Sequence, residues 1–270
     1  MNNQPVNICV IGASGRMGIE IIRAVAADPG TILSGAVERF NSKEIGSSAL
    51  ELAKCGAGGC VITSELELVA GSSDVIIDFS GAEGTFENIK SYWSAGKPLV
   101  VGSTGLRDIQ MEKLIKLKKY IPLLISSNMS IGVNIMAKLT ELAAKALGND
   151  FDIEIFEAHH RHKKDAPSGT ALALARAAAK GRCLTEESFT FSRHGFTGER
   201  KSDTIGFQVM RGGGIAGDHT VFFCSDDERL EITHKASSRS IFAKGALKAA
   251  KWLAKKPNGL YSLNDVLELK

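Results

Sequence analysis

The densest chemistry in this sequence is a basic, histidine-rich run at residues 159–164 (HHRHKK). Three of its six side chains are imidazoles, and the other three belong to arginine and lysine. Because each positive charge favours the deprotonated form of its neighbours, we expect the run to lose protons until an anion arrives. A substrate with carboxylates would supply that anion, restore the protons and prepare a cationic acid for proton transfer. The run therefore predicts a pocket for a small anionic substrate.

A helix start directly after the run supplies a second anion-binding element. Residues 165–170 read DAPSGT and lead into an alanine-rich segment. The unpaired backbone N–H groups at a helix start, together with the helix dipole, bind carboxylates. Thr170 adds a hydroxyl group, and Gly169 permits close approach. We predict that this segment binds a carboxylate of the same substrate.

Two other interpretations of the run stay open. His159, His160 and His162 could bind a metal ion, but neighbours along an extended strand point to opposite faces and the adjacent cations oppose a dication. We therefore predict no metal site. The run could also be a solvated basic loop, although the helix start beside it disfavours that. Outside the run, two further residues lie near predicted strand ends: Arg211, before three glycines, and His219. They could admit an anion, and a β-bulge or loop at this place is the alternative.

A glycine-rich turn near the amino terminus predicts a dinucleotide site. Residues 10–18 read VIGASGRMG and lie where a first strand would enter a helix. Glycines 12, 15 and 18 allow positive φ and let backbone N–H groups approach a pyrophosphate, while the helix N-terminus adds partial positive charge. The G-x-x-G-x-x-G spacing differs from the commoner G-x-G-x-x-G, so a merely tight connection is the alternative.

The acid Glu38 strengthens the dinucleotide prediction. It ends an apolar run about 20 residues after Gly18, where dinucleotide-binding folds place an acid on the ribose 2′-hydroxyl. Arg39 follows directly and can clamp a 2′-phosphate, with help from Arg16 in the turn. We therefore predict that both NADH and NADPH are accepted. A solvated Glu38–Arg39 pair is the alternative.

The elements that would position these residues follow from hydrophobic periodicity. In the first half, continuous Val/Ile/Leu runs alternate with helix-period segments, which favours a parallel sheet covered on both faces. Strands are predicted at residues 6–11, 31–37, 74–79, 99–101 and 123–127, and helices at residues 17–27, 85–95 and 109–120. Residues 28–30 (DPG) and Gly96 are expected to end helices. Residues 101–105 and 126–129 would open at the carboxyl edge, where ligands bind in such sheets.

The middle of the chain changes character. Helices are predicted at residues 130–147 and 168–180, and strands at 151–157, 187–193, 204–210, 220–224 and 230–234. Consecutive strands favour a mixed or antiparallel sheet, with a hairpin turn at residues 225–228. A last helix at 239–255 returns to the first pattern. We predict a Rossmann-type doubly wound parallel sheet at residues 1–129, completed by 239–270, and an α+β domain at 130–238.

Composition sets the class of protein. The chain has 270 residues, 44% of them hydrophobic and 23% charged, which is typical of a globular protein. A formal net charge of +3 and the lack of a basic surface with interleaved aromatics argue against a nucleic-acid partner. No apolar run approaches the roughly 20 residues of a membrane span, and no signal-peptide pattern is visible. We expect a cytoplasmic protein whose five cysteines are reduced and mostly buried.

Four segments of the sequence together resemble the 4-hydroxy-tetrahydrodipicolinate reductase family, also called dihydrodipicolinate reductase. The most specific is EIFEAHHRHKKDAPSGTA at residues 154–171, which matches the family's signature stretch throughout. The glycine turn at 12–18, SIGVN at 130–134 and HKASSR at 234–239 agree in order and spacing. The resemblance covers essentially the full length of the chain.

The resemblance implies an enzyme of lysine and diaminopimelate biosynthesis that reduces a cyclic dicarboxylate, 4-hydroxy-tetrahydrodipicolinate, with NADH or NADPH and loss of water. It implies His159 and Lys163 as the proton-handling catalytic residues. It implies that the second domain binds substrate and builds a homotetramer, with the carboxylates on His160, Gly169 and Thr170. The implied cofactor-binding residues are Gly12, Ala13, Ser14, Gly15, Arg16, Met17, Glu38, Arg39, Gly102, Ser103, Thr104, Ser126, Ser127, Asn128 and Met129.

The sequence departs from the family pattern at four positions. Ser103 stands where threonine is usual and Met129 where phenylalanine is common, and Ser14 and Gly214 are further variations. These departures leave every proposed proton donor in place. Two other functions are kept as hypotheses: a non-catalytic redox sensor that binds a dinucleotide and an anionic effector, and a metal-dependent hydrolase.

Overall fold

The computed structural model describes residues 4–269, and the chain divides into two compact units. The first unit contains the residues up to 131 together with those from 239 onward. The second unit contains residues 132–238. The carboxy-terminal segment therefore packs with the amino-terminal part of the chain.

The first unit is built on a seven-stranded sheet in which all neighbouring strands are parallel. Its strands are β1 (Val6–Ile11), β2 (Thr31–Val37), β3 (Ile62–Thr63), β4 (Val75–Asp78), β5 (Leu99–Val101), β6 (Pro122–Ile125) and β12 (Gly259–Tyr261). Their spatial order is β12-β6-β5-β4-β1-β2-β3. Because β2 and β4 lie on opposite sides of β1, the strand order reverses at β1, and open α/β sheets bind ligands at that point.

Helices cover both faces of this sheet. They are α1 (Arg16–Ala27), α2 (Ala49–Leu52), α3 (Leu66–Ala70), α4 (Ala82–Glu87), α5 (Ile89–Ala95), α6 (Asp108–Ile115), α9 (Ser240–Leu253) and α10 (Leu263–Val266). Alternate residues of β1 enter different hydrophobic clusters. Ile8 and Val10 belong to the cluster that contains α1 and α9 residues. Cys9 and Ile11 belong to the cluster that contains Tyr92 of α5. The sheet is thus buried on both faces, because strand side chains alternate in direction.

The second unit contains a five-stranded mixed sheet. Its strands are β7 (Asp152–His159), β8 (Phe189–Thr190), β9 (Ile205–Arg211), β10 (Asp218–Cys224) and β11 (Arg229–Lys235), in the order β11-β10-β7-β9-β8. β10 runs antiparallel to β7 and β11, whereas β9 runs parallel to β7 and β8. Residues of α7 (Ile131–Leu147) and α8 (Gly169–Arg182) pack with Ile153, Ile155 and Val221 in one core.

The predicted fold class, a doubly wound parallel sheet with a second mixed-sheet α+β domain, is confirmed. Gly96 ends α5 in the left-handed conformation with φ of +60°, as expected. The predicted hairpin turn is also confirmed, since the Ser225 N–H donates to the Glu228 carbonyl oxygen (2.9 Å) between β10 and β11.

Several predicted boundaries are wrong. The single helix expected at 85–95 is two helices, which meet at Asn88, and the helix expected at 109–120 ends at Ile115 and continues as a 3₁₀ turn. The strand expected at 187–193 shrinks to β8, since residues 186–188 form a 3₁₀ turn and Arg193 lies outside the strand, where it binds Glu154 (2.8 Å). β7 extends two residues beyond its predicted end and reaches His159. No periodic pattern predicts the short α2, α3, α10, β3 and β12.

The cysteines differ from expectation in their burial. All five carry free thiols, but only Cys9 is buried, and Cys183 is exposed. The expectation that they are mostly buried is therefore wrong. Among the helices of residues 4–269, none combines the length and the apolar character needed to cross a bilayer.

Candidate active site

The glycine turn between β1 and α1 lies directly against the end of β4. Gly12 has φ of +78°, which L side chains rarely adopt, and a Cβ there would lie 2.9 Å from the Phe79 carbonyl oxygen and from Ser80 Cα. A Cβ at Gly18 would lie 2.0 Å from the carbonyl oxygen of Gly12. A side chain at residue 12 would push the turn away from the end of β4, and one at residue 18 would push α1 away from the turn. Glycine is therefore required at both positions.

The start of α1 has the features of an anion site. Within the described chain, no side chain caps the helix at Gly15, and its first turn contains no acidic residue. Arg16 is the first helical residue and is exposed. Uncapped N–H groups, the helix dipole and a guanidinium together favour an anion. The start of α1 is therefore a candidate site for the pyrophosphate of a dinucleotide.

Glu38, directly after β2, is in contact with the turn. Its Oε1 accepts hydrogen bonds from the backbone N–H (2.9 Å) and the hydroxyl (2.8 Å) of Ser14. Its Oε2 accepts from the backbone N–H of Arg39 (3.2 Å), whose side chain is exposed. Ser14, one of the departures from the family pattern, thus fixes the acid beside the glycine turn.

Asp78 organises the loop that follows β4. This last residue of the strand is fully buried and accepts hydrogen bonds from the Ser80 N–H (2.8 Å), the Ser80 hydroxyl (2.6 Å) and the Thr85 hydroxyl (2.6 Å). Burial raises the pKa of Asp78 above its ordinary value, although these hydrogen bonds oppose the shift. No sequence motif singles out Asp78. The only signal is an acid that ends an apolar strand.

The other predicted cofactor residues follow β5 and β6 at the same carboxyl edge. A Cβ at Gly102 would lie 2.0 Å from the ring of Phe79, and the buried Ser103 hydroxyl accepts from the Gly81 N–H (3.0 Å). The Ser126 hydroxyl donates to the Asn128 carbonyl oxygen (2.8 Å). These residues therefore lie after β5 and β6, and two of them, Thr104 and Ser127, are exposed. That they bind the cofactor stays a prediction.

Met129 differs from its neighbours at this edge. It is 2% exposed and belongs to the hydrophobic cluster that contains α1 and α9 residues. Its carbonyl oxygen lies against α9, where a Cβ at Gly245 would approach it to 1.7 Å. The Met129 side chain therefore packs in the core of the first unit.

In the second unit, His159 of the basic run contacts a buried carboxylate, Glu157. This residue of β7 is fully buried, and its Oε2 lies 2.5 Å from Nδ1 of His159. Arg211, the last residue of β9, donates to both carboxylate oxygens at 2.8 Å. The Ser168 N–H donates to Oε1 (2.9 Å). Burial opposes ionisation, but the hydrogen bonds from Arg211 and His159 outweigh it and lower the pKa of Glu157.

A second histidine, His219, stacks against this group from β10. Its ring centroid lies 5.1 Å from that of His159 in an edge-on arrangement, and its Nε2 lies 3.0 Å from the Ser168 hydroxyl. Burial, with the neighbouring His159 adding to it, lowers the pKa of His219 to about 4. His219 is therefore neutral at neutral pH. Ser168 also caps α8 by accepting from the Ala171 N–H (3.1 Å).

Two acids offset the positive charge of the run. Lys163 Nζ binds both carboxylate oxygens of Asp165 (2.9 and 2.8 Å), and this ammonium lowers the pKa of Asp165. The carboxylate of Glu157 offsets the positive charge of Arg211 and contacts His159. The expected self-repulsion of the run is thus reduced by carboxylates before any substrate binds. Because the Arg211 guanidinium is bound to Glu157, the structure argues against Arg211 as a direct ligand of a substrate anion.

Two of the residues predicted to bind the substrate carboxylates, Gly169 and Thr170, are the first two residues of α8. A Cβ at Gly169 would meet no atom of the described chain within 4 Å. The third predicted residue, His160, has its ring centroid 6.1 Å from that of His162.

In residues 4–269, no group of three or more His, Cys, Asp or Glu side chains could hold a metal ion.

Family models match almost the whole chain. The model of the dihydrodipicolinate reductase N-terminus covers residues 6–129, and that of its C-terminus covers residues 132–267. The chain belongs to the dihydrodipicolinate reductase family. The resemblance stated from the sequence is thereby confirmed.

Individual relatives agree with the family match. The 4-hydroxy-tetrahydrodipicolinate reductase of Anaeromyxobacter dehalogenans is 45% identical over 265 residues, which is 97% of this chain and 98% of that protein. Dipicolinate-bound dihydrodipicolinate reductase from Paenisporosarcina sp. TG-14 shares the fold, with a TM-score of 0.74 at 23% identity over 96% of this chain and 98% of that one. GenD2 from gentamicin A biosynthesis, in complex with NAD, has a TM-score of 0.59 at 13% identity over 98% and 91%.

Two buried acids of this member of the family were not among the residues predicted from the sequence. Asp78 organises the edge of the first sheet, and Glu157 lies at the centre of the charged group in the second unit. Glu157 stands within the signature stretch of the family, two residues before His159. That spacing puts both side chains on one face of a strand, because alternate residues share a face. The signal is visible once β7 is known to extend to His159.

Proposed function

We propose that this chain catalyses the NADH- or NADPH-dependent reduction of 4-hydroxy-tetrahydrodipicolinate to tetrahydrodipicolinate in lysine and diaminopimelate biosynthesis. One hydride and one proton enter the substrate, and one water leaves. The observation that carries the proposal is the family match over both halves of the chain. The 45% identical relative, which bears the name of this activity, supports it.

The first unit provides the dinucleotide site. The glycine turn and Arg16 bind the pyrophosphate, Glu38 binds the adenosine ribose, and Arg39 binds the 2′-phosphate of NADPH. Residues 102–104 and 126–129 surround the nicotinamide. The bound cofactor supplies the hydride. Support comes from the uncapped α1 and from the direct Ser14–Glu38 contact, which brings turn and acid together.

The second unit provides the substrate site. His160, Gly169 and Thr170 bind the substrate carboxylates, and the N–H groups at the start of α8 add donors. His159 and Lys163 handle the proton. Cationic groups beside the carboxylates stabilise the negative charge that develops when hydride is added. The open space at Gly169 and the charged group around Glu157 support these assignments.

The proposal includes a homotetramer in the cytoplasm. Three side chains of the second sheet, Phe156, Met210 and Phe222, lie on the face opposite α8, and Met210 is 47% exposed. These partly exposed apolar side chains on one sheet face support association. Five free thiols support a reducing compartment. Light scattering that gives four times the mass of one chain, and cell fractionation, test these two statements.

A coupled assay tests the proposed activity. Substrate is generated freshly in the cuvette, and oxidation of NADH and of NADPH is followed with and without a chelator. We expect turnover with both cofactors and no effect of the chelator. Tight cofactor binding without oxidation would instead indicate a redox sensor, and loss of activity with chelator would indicate a metal-dependent enzyme.

A further inference from the structure

We propose that Glu157 and Arg211 are positioning residues for His159. The buried carboxylate fixes the imidazole with its hydrogen on Nδ1, so that Nε2 is the nitrogen that exchanges the proton of the reaction. This inference rests on the proposed function and deepens it. Neither residue needs to touch the substrate, since both act through the orientation and tautomer of His159.

The hydrogen bonds of Glu157 require Nδ1 of His159 to be a donor. Oε1 accepts from the Ser168 N–H and from Arg211, and Oε2 accepts from Arg211 and contacts Nδ1 of His159 at 2.5 Å. An ionised carboxylate can only accept hydrogen bonds. Nδ1 must therefore be the donor, and a neutral imidazole then has its lone pair on Nε2.

Gly217 leaves space beside Nε2 of His159. Nε2 lies on the side of Gly217, where a Cβ would approach it to 3.0 Å. A side chain at residue 217 would crowd the nitrogen, so this glycine keeps space beside it. The ring itself is largely buried, with 12% of its side chain exposed. The geometry thus fixes Nδ1 against an internal partner and leaves the opposite nitrogen for chemistry.

The other ionisable groups near His159 do not compete for Nδ1. His219 on β10 faces the ring edge-on and bonds through Nε2 to Ser168, and His234 lies opposite His219 on β11. Lys163 is paired with Asp165 in the loop after β7. Among these groups, Glu157 is the one that contacts Nδ1.

A second carboxylate on the same strand shows what a structural pairing looks like. Glu154 is bound by Arg193 (2.9 and 2.8 Å) and Arg200 (3.0 Å), and its bonds reach no histidine among the described residues. It lies on the opposite face of β7, since it is three residues from Glu157. Replacing a buried ion pair with apolar side chains is often neutral for stability. Glu157 differs from Glu154 in that it also contacts a histidine, His159.

The first test is the tautomer of His159 in the wild-type protein. The chain contains six histidines, and ¹⁵N-histidine labelling with NMR, assigned by the loss of signals in His159→Asn, identifies the nitrogen that carries the hydrogen. We expect hydrogen on Nδ1 in the neutral ring. Hydrogen on Nε2 alone would overturn the proposal, and this measurement needs neither substrate nor turnover.

The second test uses Glu157→Gln with Glu154→Gln as the matched control. An amide can donate as well as accept, so we expect a mixture of His159 tautomers in Glu157→Gln and a fall in kcat of about 10²-fold. KM and the Kd for NADH should change less than threefold. Glu154→Gln should keep the wild-type tautomer and kcat within twofold, even if it lowers thermal stability. Arg211→Met should reproduce the Glu157→Gln effect, and Arg211→Lys should restore part of it.

The outcomes separate this inference from the proposed function. A folded Glu157→Gln variant with wild-type tautomer and kcat would overturn the positioning role. If that variant and Arg211→Met fail to fold, the wild-type tautomer decides. If the wild-type protein oxidises no cofactor at all, the proposed function fails, while the NMR comparison still shows whether Glu157 fixes the ring of His159.

Discussion

The two candidate sites of this chain are built by different physical means. At the edge of the first sheet, shape comes from backbone and small residues, with Gly12 and Gly18 packed so closely that a Cβ does not fit. At the end of β7, the second unit instead buries a charged group, Glu157 with Arg211 and His159. The first site depends on space and the second on charge. Substitutions that add volume should therefore damage the first, and substitutions that remove charge should damage the second.

The largest expected effect is on turnover in Lys163→Ala. We expect kcat to fall by about 10²-fold or more, because proton transfer by a positioned group contributes that much. The Kd for NADH should stay within twofold, since the dinucleotide site that we propose lies in the other unit. Steady-state kinetics and fluorescence titration measure the two quantities. The exposed neighbour Lys164→Ala is the control and should turn over nearly as wild type. Near-normal turnover of Lys163→Ala would remove it from the catalytic role.

A second prediction concerns how the free energy of unfolding depends on pH. The pKa of His219 is about 4 in the folded state against an ordinary value of 6.5, so the unfolded chain takes up this proton first. Stability from this group is therefore full above pH 6.5 and falls as pH drops toward 4, by about 3 kcal/mol. Urea unfolding at several pH values measures it.

The matched variants for this pH dependence are His219→Gln and His194→Gln. The first should have a shallower fall in unfolding free energy between pH 6.5 and 4, because the buried imidazole is gone. The second removes an exposed histidine and should keep the wild-type slope. Equal slopes in all three proteins would contradict the account of a neutral, buried His219.

A third prediction tests whether space controls the first site. Gly12→Ala should lower the free energy of unfolding by about 2 kcal/mol, since it combines positive φ with a clash against the end of β4. It should also weaken NADH binding. Gly105→Ala is the control, because Gly105 has φ of +86° but a Cβ there meets nothing described within 4 Å. It should lose only about 1 kcal/mol. Equal losses in the two variants would show that the clash is unimportant.

The smallest expected effect separates the two cofactors. Arg39→Ala should weaken NADPH binding about tenfold, as expected for the loss of an exposed guanidinium–phosphate contact, and should leave the NADH Kd within twofold. Isothermal titration with both cofactors measures the ratio. An unchanged NADPH affinity would remove Arg39 from the site.

The same contrast explains what the sequence could predict. The glycine turn and its helix occupy a few consecutive residues, so their spacing alone indicates a dinucleotide site. The charged group could not be predicted in the same way, because Arg211 lies 54 residues from Glu157 and meets it only through the pairing of β7 with β9. The same pairing includes His159 and Arg211, so His159 lies at the end of a strand and not in a loop.

Other errors have local causes. The elements α2, β3 and α3 are two to five residues long, which is too short for a periodic pattern to develop. The burial of Met129 in an apolar core was not visible from the motif, and its place beside the nicotinamide stays a prediction. The family resemblance supplied the substrate, since neither glycine spacing nor a basic run specifies a cyclic dicarboxylate.

The most direct test of the central claim follows the hydride itself. NADH with deuterium at the transferable position is incubated with the protein and freshly generated 4-hydroxy-tetrahydrodipicolinate, and the product is analysed by mass spectrometry. We predict tetrahydrodipicolinate that contains one deuterium on a ring carbon. Bound cofactor with no deuterated product would contradict the account.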